Sequence, residues 1–584
     1  MPDPKPRKEI PQKQSSPLLG LLKPYIRLIV WLVVLALLSN GINLVLPLLI
    51  SQGIDAYSVG KYVLRTTLLQ FAGATLFIFL FTYLQSVVQT YASERVARDL
   101  RTQLAGKISR QSFTYIQQTN PAKLLTNLTS DIDSVKLFIS QAIVSLVSSL
   151  CLIIGASILL IRINGQLALA VLTIVPIIGI TFYWVLKKVR ALFMRTREII
   201  DWLNKVINES ILGAALIRVI NSQRLESDKF LAANTDAQAM GLSILRLFAM
   251  LIPVIGFTAS LAGLIILVLG GHFVIIGSMS LGNFAAFNSY LALLIFPIIV
   301  IGFMSNVIAQ ASASYERINT VLQAPEPAPT GVVNSIIRGD IDLQQVSLYY
   351  GEKPALHRIS FSVKAGTRTA IVGPTAAGKS QLLLLLTGLI KPTSGTVAYD
   401  GNLIDNYDQD TFHQQVGLVF QDSILFSLSL RENIAFSANA TDESLQKAID
   451  TAELNDFIQT LPDKLQTLIS ERGTSLSGGQ KQRLMLARAL ALNPHVLLLD
   501  DFTARVDAQT EQKILANVRQ NYPNLTLISV TQKVAPVEDY EQIILLMEGE
   551  IMAIGTHTEL MAISPEYVQI YQSQRSTNQY ELRS

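Results

Sequence analysis

Three short stretches of this chain carry residue types at spacings that suit phosphate chemistry. Gly373-Pro374-Thr375-Ala376-Ala377-Gly378-Lys379-Ser380 fits the pattern G-x-x-x-x-G-K-[ST]. Its glycines let backbone N–H groups wrap phosphate oxygens, Lys379 brings a cation to the β and γ phosphates, and Ser380 can ligate Mg²⁺. The apolar run 368–372 precedes it and the helical run 381–386 follows. That strand–loop–helix setting separates the motif from a chance glycine turn. A second apolar run, Val496-Leu497-Leu498-Leu499, ends in Asp500 and Asp501. A strand of that composition is buried, which places its end aspartate to hold a metal's water shell. The third stretch, Leu476-Ser477-Gly478-Gly479-Gln480, sets two glycines behind a hydroxyl. At a helix start it exposes several N–H groups to an anion. Alone it would read as a glycine-rich turn, but it stands between a phosphate loop and an acidic strand end. Two phosphate-binding elements in one chain suggest that each faces a different nucleotide, so that two chains meet.

The elements that must position these residues fall into two classes. The 584-residue chain has only 15% charged residues and a mean hydropathy of +0.39, against about 25% charged in ordinary globular proteins. Residues 28–54, 66–93, 137–161, 163–186 and 247–315 contain no Asp, Glu, Lys or Arg. A bilayer-spanning helix needs about 20 apolar residues. The first four stretches each fit one span, and the fifth fits two around a short link at 270–282, giving six. The long links hold most of the basic residues, among them Arg95, Arg98, Arg101, Lys107 and Arg110, then Lys187, Lys188, Arg190, Arg195 and Arg197. The opposite links hold Lys61, Arg65 and Arg162. By the positive-inside rule the long links and both termini are cytoplasmic, and this accounts for the net charge of +4 without any nucleic-acid partner. Charged and apolar positions alternate at helical spacing in the long links. The spans are therefore expected to run on into the cytoplasm, with breaks at Asn120-Pro121 and Ile211-Leu212-Gly213. A short helix at each break could touch a cytoplasmic domain. The lone Cys151 excludes an intrachain disulfide.

The expected organisation is a disordered tail (residues 1–19), a six-helix transmembrane domain (20–322), a linker (323–338) rich in proline, and a soluble domain (339–584). The fold class is a multi-domain membrane protein, with an α-helical membrane domain fused to an α/β P-loop domain. The polar start, residues 1–16, resembles neither a signal peptide nor a transit peptide.

Residues 20–575 resemble a half-transporter of the ATP-binding cassette (ABC) exporter family, since these motifs occur in its order. The resemblance implies ATP and Mg²⁺ as cofactors. It makes Tyr350 the aromatic that stacks on adenine, with Tyr349 next to it if the register shifts by one. It gives residues 373–380 and Gln381 to the phosphates, and the metal to Ser380, Asp500 and Gln421. It makes Ser477, Gly478, Gly479 and Gln480 the family signature, which acts on the nucleotide of a partner subunit, and Asp507 the end of the D-loop. Asn127 to Val135 resembles the first intracellular loop and Asn208 to Gly213 the second.

Three departures stand out against the family pattern. Asp501 stands where a glutamate acts as general base, one methylene shorter. Gln532 replaces a histidine that reaches the γ-phosphate; it can hydrogen-bond there but brings no positive charge. Ala504-Arg505-Val506-Asp507 stands where Ser-Ala-Leu-Asp is usual. The catalytic residues, Asp501 and Gln532, are thus those of an impaired site, while the signature is intact. This resembles the impaired half of a heterodimeric exporter in a bacterial plasma membrane. An amphipathic drug, lipid or peptide is the expected cargo, because no charge interrupts a span. A regulatory ATP-binding subunit with little turnover, and a slow homodimeric exporter, are the other readings.

Overall fold

A computed structural model describes residues 18–327, 331–437, 439–470 and 473–581. Residues 1–17 of the tail expected at 1–19 lie outside them, as do residues 328–330 of the linker. The chain forms two compact units, Met1–Arg110 with Thr119–Pro325, and Gln111–Gln118 with Glu326–Ser584.

Among the described residues of the first unit, six helices are long and apolar enough to cross a membrane: Gly20–Ser58, Leu64–Ser109, Pro121–Ile163, Gly165–Val189, Pro253–Ile275 and Leu281–Leu322. The apolar stretch of α1 (Ile26–Ser58) is followed by α2 (Leu64–Ser109), which is 46 residues long. That is far more than a bilayer requires, and its second half stays helical through Glu94, Arg95, Arg98 and Arg101. The last span, α7 (Leu281–Leu322), meets α1 closely: a Cβ on Gly282 would lie 2.1 Å from the Ser51 carbonyl oxygen. Asp55 satisfies the free first turn of α7. It accepts from the Ser280 hydroxyl at 2.7 Å and the Gly282 N–H at 2.8 Å. Tyr290 is fully buried and donates to the Leu44 carbonyl at 2.8 Å, so it packs α7 on α1. Phe79 and Tyr83 stack at 6.4 Å on an exposed face of α2.

The first inner turn falls at the expected break, Asn120-Pro121, and residues 127–135, likened to the first intracellular loop, lie just beyond it. Those residues are helical, with a π turn at Asn127–Asp131, inside the continuous helix α4 (Pro121–Ile163). They contain no breaker, and Asp131 is buried against Arg317 of α7, whose Nε donates at 3.0 Å. The chain turns between Arg110 and Asn120, around the short helix α3 (Phe113–Thr119). Asn120 adopts φ 67° and its side chain accepts from the Ala122 N–H, with Pro121 opening α4. The residue before a proline avoids the helical region, which fixes the break at this point. Helix α3 belongs to the second unit, where Phe113 packs on the buried face of the sheets. At the second inner turn, α5 (Ile174–Leu212) and α6 (Gln223–Ile265) are joined by a short helix at Ala214–Val219. Ile211, Leu212, Leu216 and Val219 are exposed there.

The second unit holds two sheets. β1 (Ile341–Tyr350), β2 (Lys353–Val363), β4 (Ser394–Tyr399) and β5 (Asn402–Leu403) form an antiparallel sheet in the order β2-β1-β4-β5. β3 (Arg368–Val372), β6 (Val416–Val419), β7 (Val496–Asp500), β8 (Thr526–Thr531), β9 (Gln542–Met547) and β10 (Glu550–Gly555) form the other. Its order is β10-β9-β3-β8-β7-β6, parallel except at the β10 edge. Alternation along its strands divides the core. Ala370, Val372, Leu497, Leu499, Ile543 and Leu545 face one cluster. Ile371, Val496, Leu498, Ile544 and Leu546 face the other. A strand with both faces buried reads as an unbroken apolar run for this reason.

Candidate functional site

Parallel strands deliver their carboxyl ends to one edge, and β3, β8 and β7 are neighbours. The loop after β3, the residue after β8 and the two acids at the tip of β7 therefore converge. Pairing of Val372 with Thr531 and of Asp500 with Val530 fixes their relative height.

The loop at 373–380 leads into α8 (Lys379–Leu386). Ala376 has φ 66° and Gly378 φ 96°, the left-handed turns that aim successive N–H groups inward. A Cβ on Gly378 would stand 2.6 Å from the Ala355 carbonyl oxygen, so this position admits only glycine. Lys379 is buried and folds back over its own loop. Its ammonium donates to the carbonyls of Gly373 at 2.8 Å and Pro374 at 2.7 Å. Burial pulls Lys379 below the ordinary lysine range, and Asp501 and Asp500 pull the other way. The Ser380 hydroxyl donates to Asp500 at 3.1 Å. Burial lifts Asp500 above the usual aspartate range, opposed by that Ser380 bond. A hydroxyl and a buried carboxylate side by side are a partial shell of hard oxygens. Such a pair fits Mg²⁺, which takes one or two protein ligands and completes its octahedron from phosphates and water. Among the described residues there is no cluster of three or more His, Cys, Asp or Glu that could hold a metal by itself.

Asp501 has φ 45°, and its N–H donates to the Val530 carbonyl at 2.9 Å. Its carboxyl is raised by burial, with Lys379 and then Lys533 acting against the shift. Lys533 is a cation beside the site that sequence reasoning passed over, although it adjoins Gln532. The Gln532 side chain is exposed and reaches the P-loop, its Oε1 accepting from the Thr375 hydroxyl at 3.5 Å, the outer limit of a hydrogen bond. Tyr350 donates through its hydroxyl to Gln381 at 2.7 Å, which ties an exposed ring to the start of α8. Tyr349 turns elsewhere and pairs with His357 at 3.1 Å.

The signature residues make a second group. Ser477 caps α9 (Gly478–Leu490): its hydroxyl accepts from the Gln480 N–H at 3.3 Å, and Gln480 Oε1 accepts from the Ser477 N–H at 2.8 Å. This reciprocal box uses up two donors, while the N–H groups of Gly478 and Gly479, at the positive end of a 13-residue helix, have no intrahelical acceptor. Arg505 lies against both glycines; a Cβ on Gly479 would be 2.9 Å from its carbonyl oxygen. Asp507 accepts from the Thr510 N–H at 2.9 Å and caps α10 (Ala508–Asn521), a bond that holds its carboxyl below the usual range. No hydrogen bond of Ser477 or Gln480 among the described residues reaches residues 373–380. Gln421 is exposed, and its backbone carbonyl accepts from Gln482 of α9 at 2.8 Å. Sequence reasoning missed Gln482, a buried amide two residues beyond the signature. Its place among the inward positions of α9 was the available sign.

A family model for the ABC transporter transmembrane region matches residues 29–298, and one for the ABC transporter matches residues 356–504. YfiB of Bacillus subtilis (strain 168), described as an uncharacterized ABC transporter ATP-binding protein, is 32% identical over 570 residues. The match covers 95% of this chain and 98% of that one. The ATP-dependent lipid A-core flippase of Syntrophus aciditrophicus (strain SB) is 27% identical over 500 residues, covering 84% and 83%. A solved bacterial Atm1-family ABC exporter with ATP bound shares the fold, with a TM-score of 0.76 at 23% identity, covering 94% of this chain and 98% of that one. Both halves of the chain match, and a relative 32% identical spans nearly its whole length. The chain thus belongs to the ABC transporter family, with its membrane and nucleotide-binding domains joined in one polypeptide.

Proposed function

We propose that this protein is one half of an ATP-driven exporter whose own nucleotide site binds MgATP but turns it over poorly, while its signature completes a working site on a partner subunit. The observation that carries the reading is an asymmetry within one nucleotide-binding domain. Gly478 and Gly479 open an intact capped helix, in the first turn whose N–H groups have no intrahelical acceptor. The hydrolytic positions, by contrast, hold a short carboxylate, Asp501, and an uncharged amide, Gln532. In this reading Tyr350 stacks on adenine, residues 373–381 hold the phosphates, and Ser380, Asp500 and Gln421 hold Mg²⁺ and its water. Bound Mg²⁺ would neutralise phosphate charge. Asp507 supports the approach of the partner's P-loop from the signature side.

Exposed apolar surfaces favour a dimer. The inner turn shows Ile211, Leu212, Leu216 and Val219 to solvent, and Phe426 stacks on Phe436 at 4.7 Å on the exposed surface of the nucleotide domain. ATP binding would close the paired cytoplasmic domains, and the inner turns would pass that closure to the spans. The cargo would be an amphipathic drug, lipid or peptide, exported from a bacterial cell across its plasma membrane, with both termini cytoplasmic. The flippase relative supports a lipid-like cargo. The test is steady-state phosphate release and nucleotide binding by the purified full chain. Expected are MgATP binding with little turnover, and brisk turnover once a half-transporter carrying the glutamate and histidine is added. Brisk hydrolysis by the chain alone, abolished by Lys379→Ala, overturns the asymmetry.

A further inference from the structure

The C-terminal helix α11 (Pro565–Glu581) reaches the candidate site from the side. Tyr567, Ile570, Tyr571 and Gln574 fall at i, i+3, i+4 and i+7, a single helix face. Tyr567 is fully buried and its hydroxyl pairs with His557 Nδ1 at 2.9 Å. Ile570 and Tyr571 pack on the core under the parallel sheet. The face ends in Gln574, whose amide holds the backbone just past β8 at two points. Its Nε2 donates to the Gln532 carbonyl at 2.6 Å, and its Oε1 accepts from the Val534 N–H at 2.9 Å. One side chain thus supplies both a donor and an acceptor to the segment that carries Gln532, as a neighbouring strand would. Val534 is buried, so the segment is fixed at both ends of the two-residue step.

This attachment matters because position 532 is an amide. A charged group acts on a phosphate over several ångströms, whereas a neutral amide acts only within about 3 Å and at a narrow angle. We infer that Gln574 is a positioning residue: the C-terminal helix holds Gln532 where its side chain meets the γ-phosphate, and so lets the site distinguish ATP from ADP. The inference rests on the ATP-site reading above. ADP lacks the group that Gln532 would touch, so losing the clamp weakens triphosphate binding selectively. A role confined to stability would weaken both nucleotides alike.

The experiment is competitive binding of ADP and of a β,γ-imido ATP analogue to the full chain in lipid nanodiscs, with Mg²⁺. Gln574→Met removes both bonds at nearly constant volume. It should weaken the triphosphate about tenfold to a hundredfold, the scale of one hydrogen bond to a charged group, and leave ADP within about twofold. Gln574→Glu keeps the length and the acceptor but sets a carboxylate against the Gln532 carbonyl, and should give the same selective loss. Gln532→Ala should give it too, and the double variant Gln532→Ala/Gln574→Met should lose no more than either alone, because the two act as a unit. Parallel weakening of both nucleotides, unchanged discrimination in the Gln574 variants, or additive losses would each overturn the inference. Absence of nucleotide binding by the unmodified chain would overturn the ATP-site reading first and this inference with it.

Discussion

Asp501→Glu tests whether one missing methylene limits the chain's own site. The backbone at 501 is pinned by its N–H bond to Val530 at 2.9 Å and by the strand pairing of Asp500 with Val530. The longer side chain therefore moves the carboxylate outward by about one C–C bond, roughly 1.5 Å. A misplacement of about 1 Å costs on the order of a hundredfold in rate, or about 2.7 kcal/mol of barrier. The expected gain in kcat is about 30- to 100-fold, held below the full factor because Gln532 still lacks charge. Stability works slightly against the change. Position 501 sits at φ 45°, where aspartate is better tolerated than glutamate, and the loss should stay under about 1 kcal/mol, a few degrees in Tm. The assay is phosphate release by the full chain reconstituted in nanodiscs with the glutamate- and histidine-carrying half-transporter proposed as its partner, that partner's own site inactivated, with Lys379→Ala as the blank. If turnover of Asp501→Glu stays at the wild-type level while MgATP affinity and Tm are retained, the length of the side chain is not what limits the site.

Two further outcomes follow from the geometry. Tyr350→Ala should weaken ATP by about 1–3 kcal/mol, the worth of one aromatic–base stack, whereas Tyr349→Ala should leave it nearly unchanged, because Tyr349 is engaged with His357; equal losses measured by fluorescence titration would refute the assignment. Asp500 is raised by burial, so the folded domain takes up this proton at a higher pH than the unfolded chain does. Acidification through that window therefore favours the protonated, metal-free fold and opposes Mg²⁺, which needs the carboxylate. MgATP affinity should begin to fall above the pH at which an ordinary aspartate titrates. Asp500→Asn should bind weakly at every pH without that slope, and a wild-type profile flat down to the ordinary aspartate range would contradict the argument.

Much of the architecture was legible because its causes are local. Spans of about 20 uncharged residues have one stable solution in a bilayer, a helix, since every backbone polar group must be satisfied within the segment. The P-loop is likewise local: Gly378 must be glycine because its φ is 96° and the Ala355 carbonyl stands where a Cβ would go. The first inner turn was legible for a local reason as well: the residue before Pro121 avoids the helical region, so the chain breaks at Asn120, whereas residues 127–135 contain nothing that ends a helix. Gln574 and Gln482 carried no sequence signal strong enough to single them out, because an amide becomes informative only when its partners are known.

The sequence by itself therefore determined the membrane spans, the phosphate loop, the acidic strand tip and the signature, each set by residue chemistry within a few positions. The tertiary structure decided which of them meet. The strand order β3-β8-β7 brings residues 372, 531 and 500 side by side although more than a hundred positions separate the first from the other two. The same packing sets the signature at the start of its own capped helix, where no hydrogen bond of Ser477 or Gln480 among the described residues reaches that edge. Parallel pairing is a long-range choice, made by burying both faces of the sheet at once, and no local pattern records it.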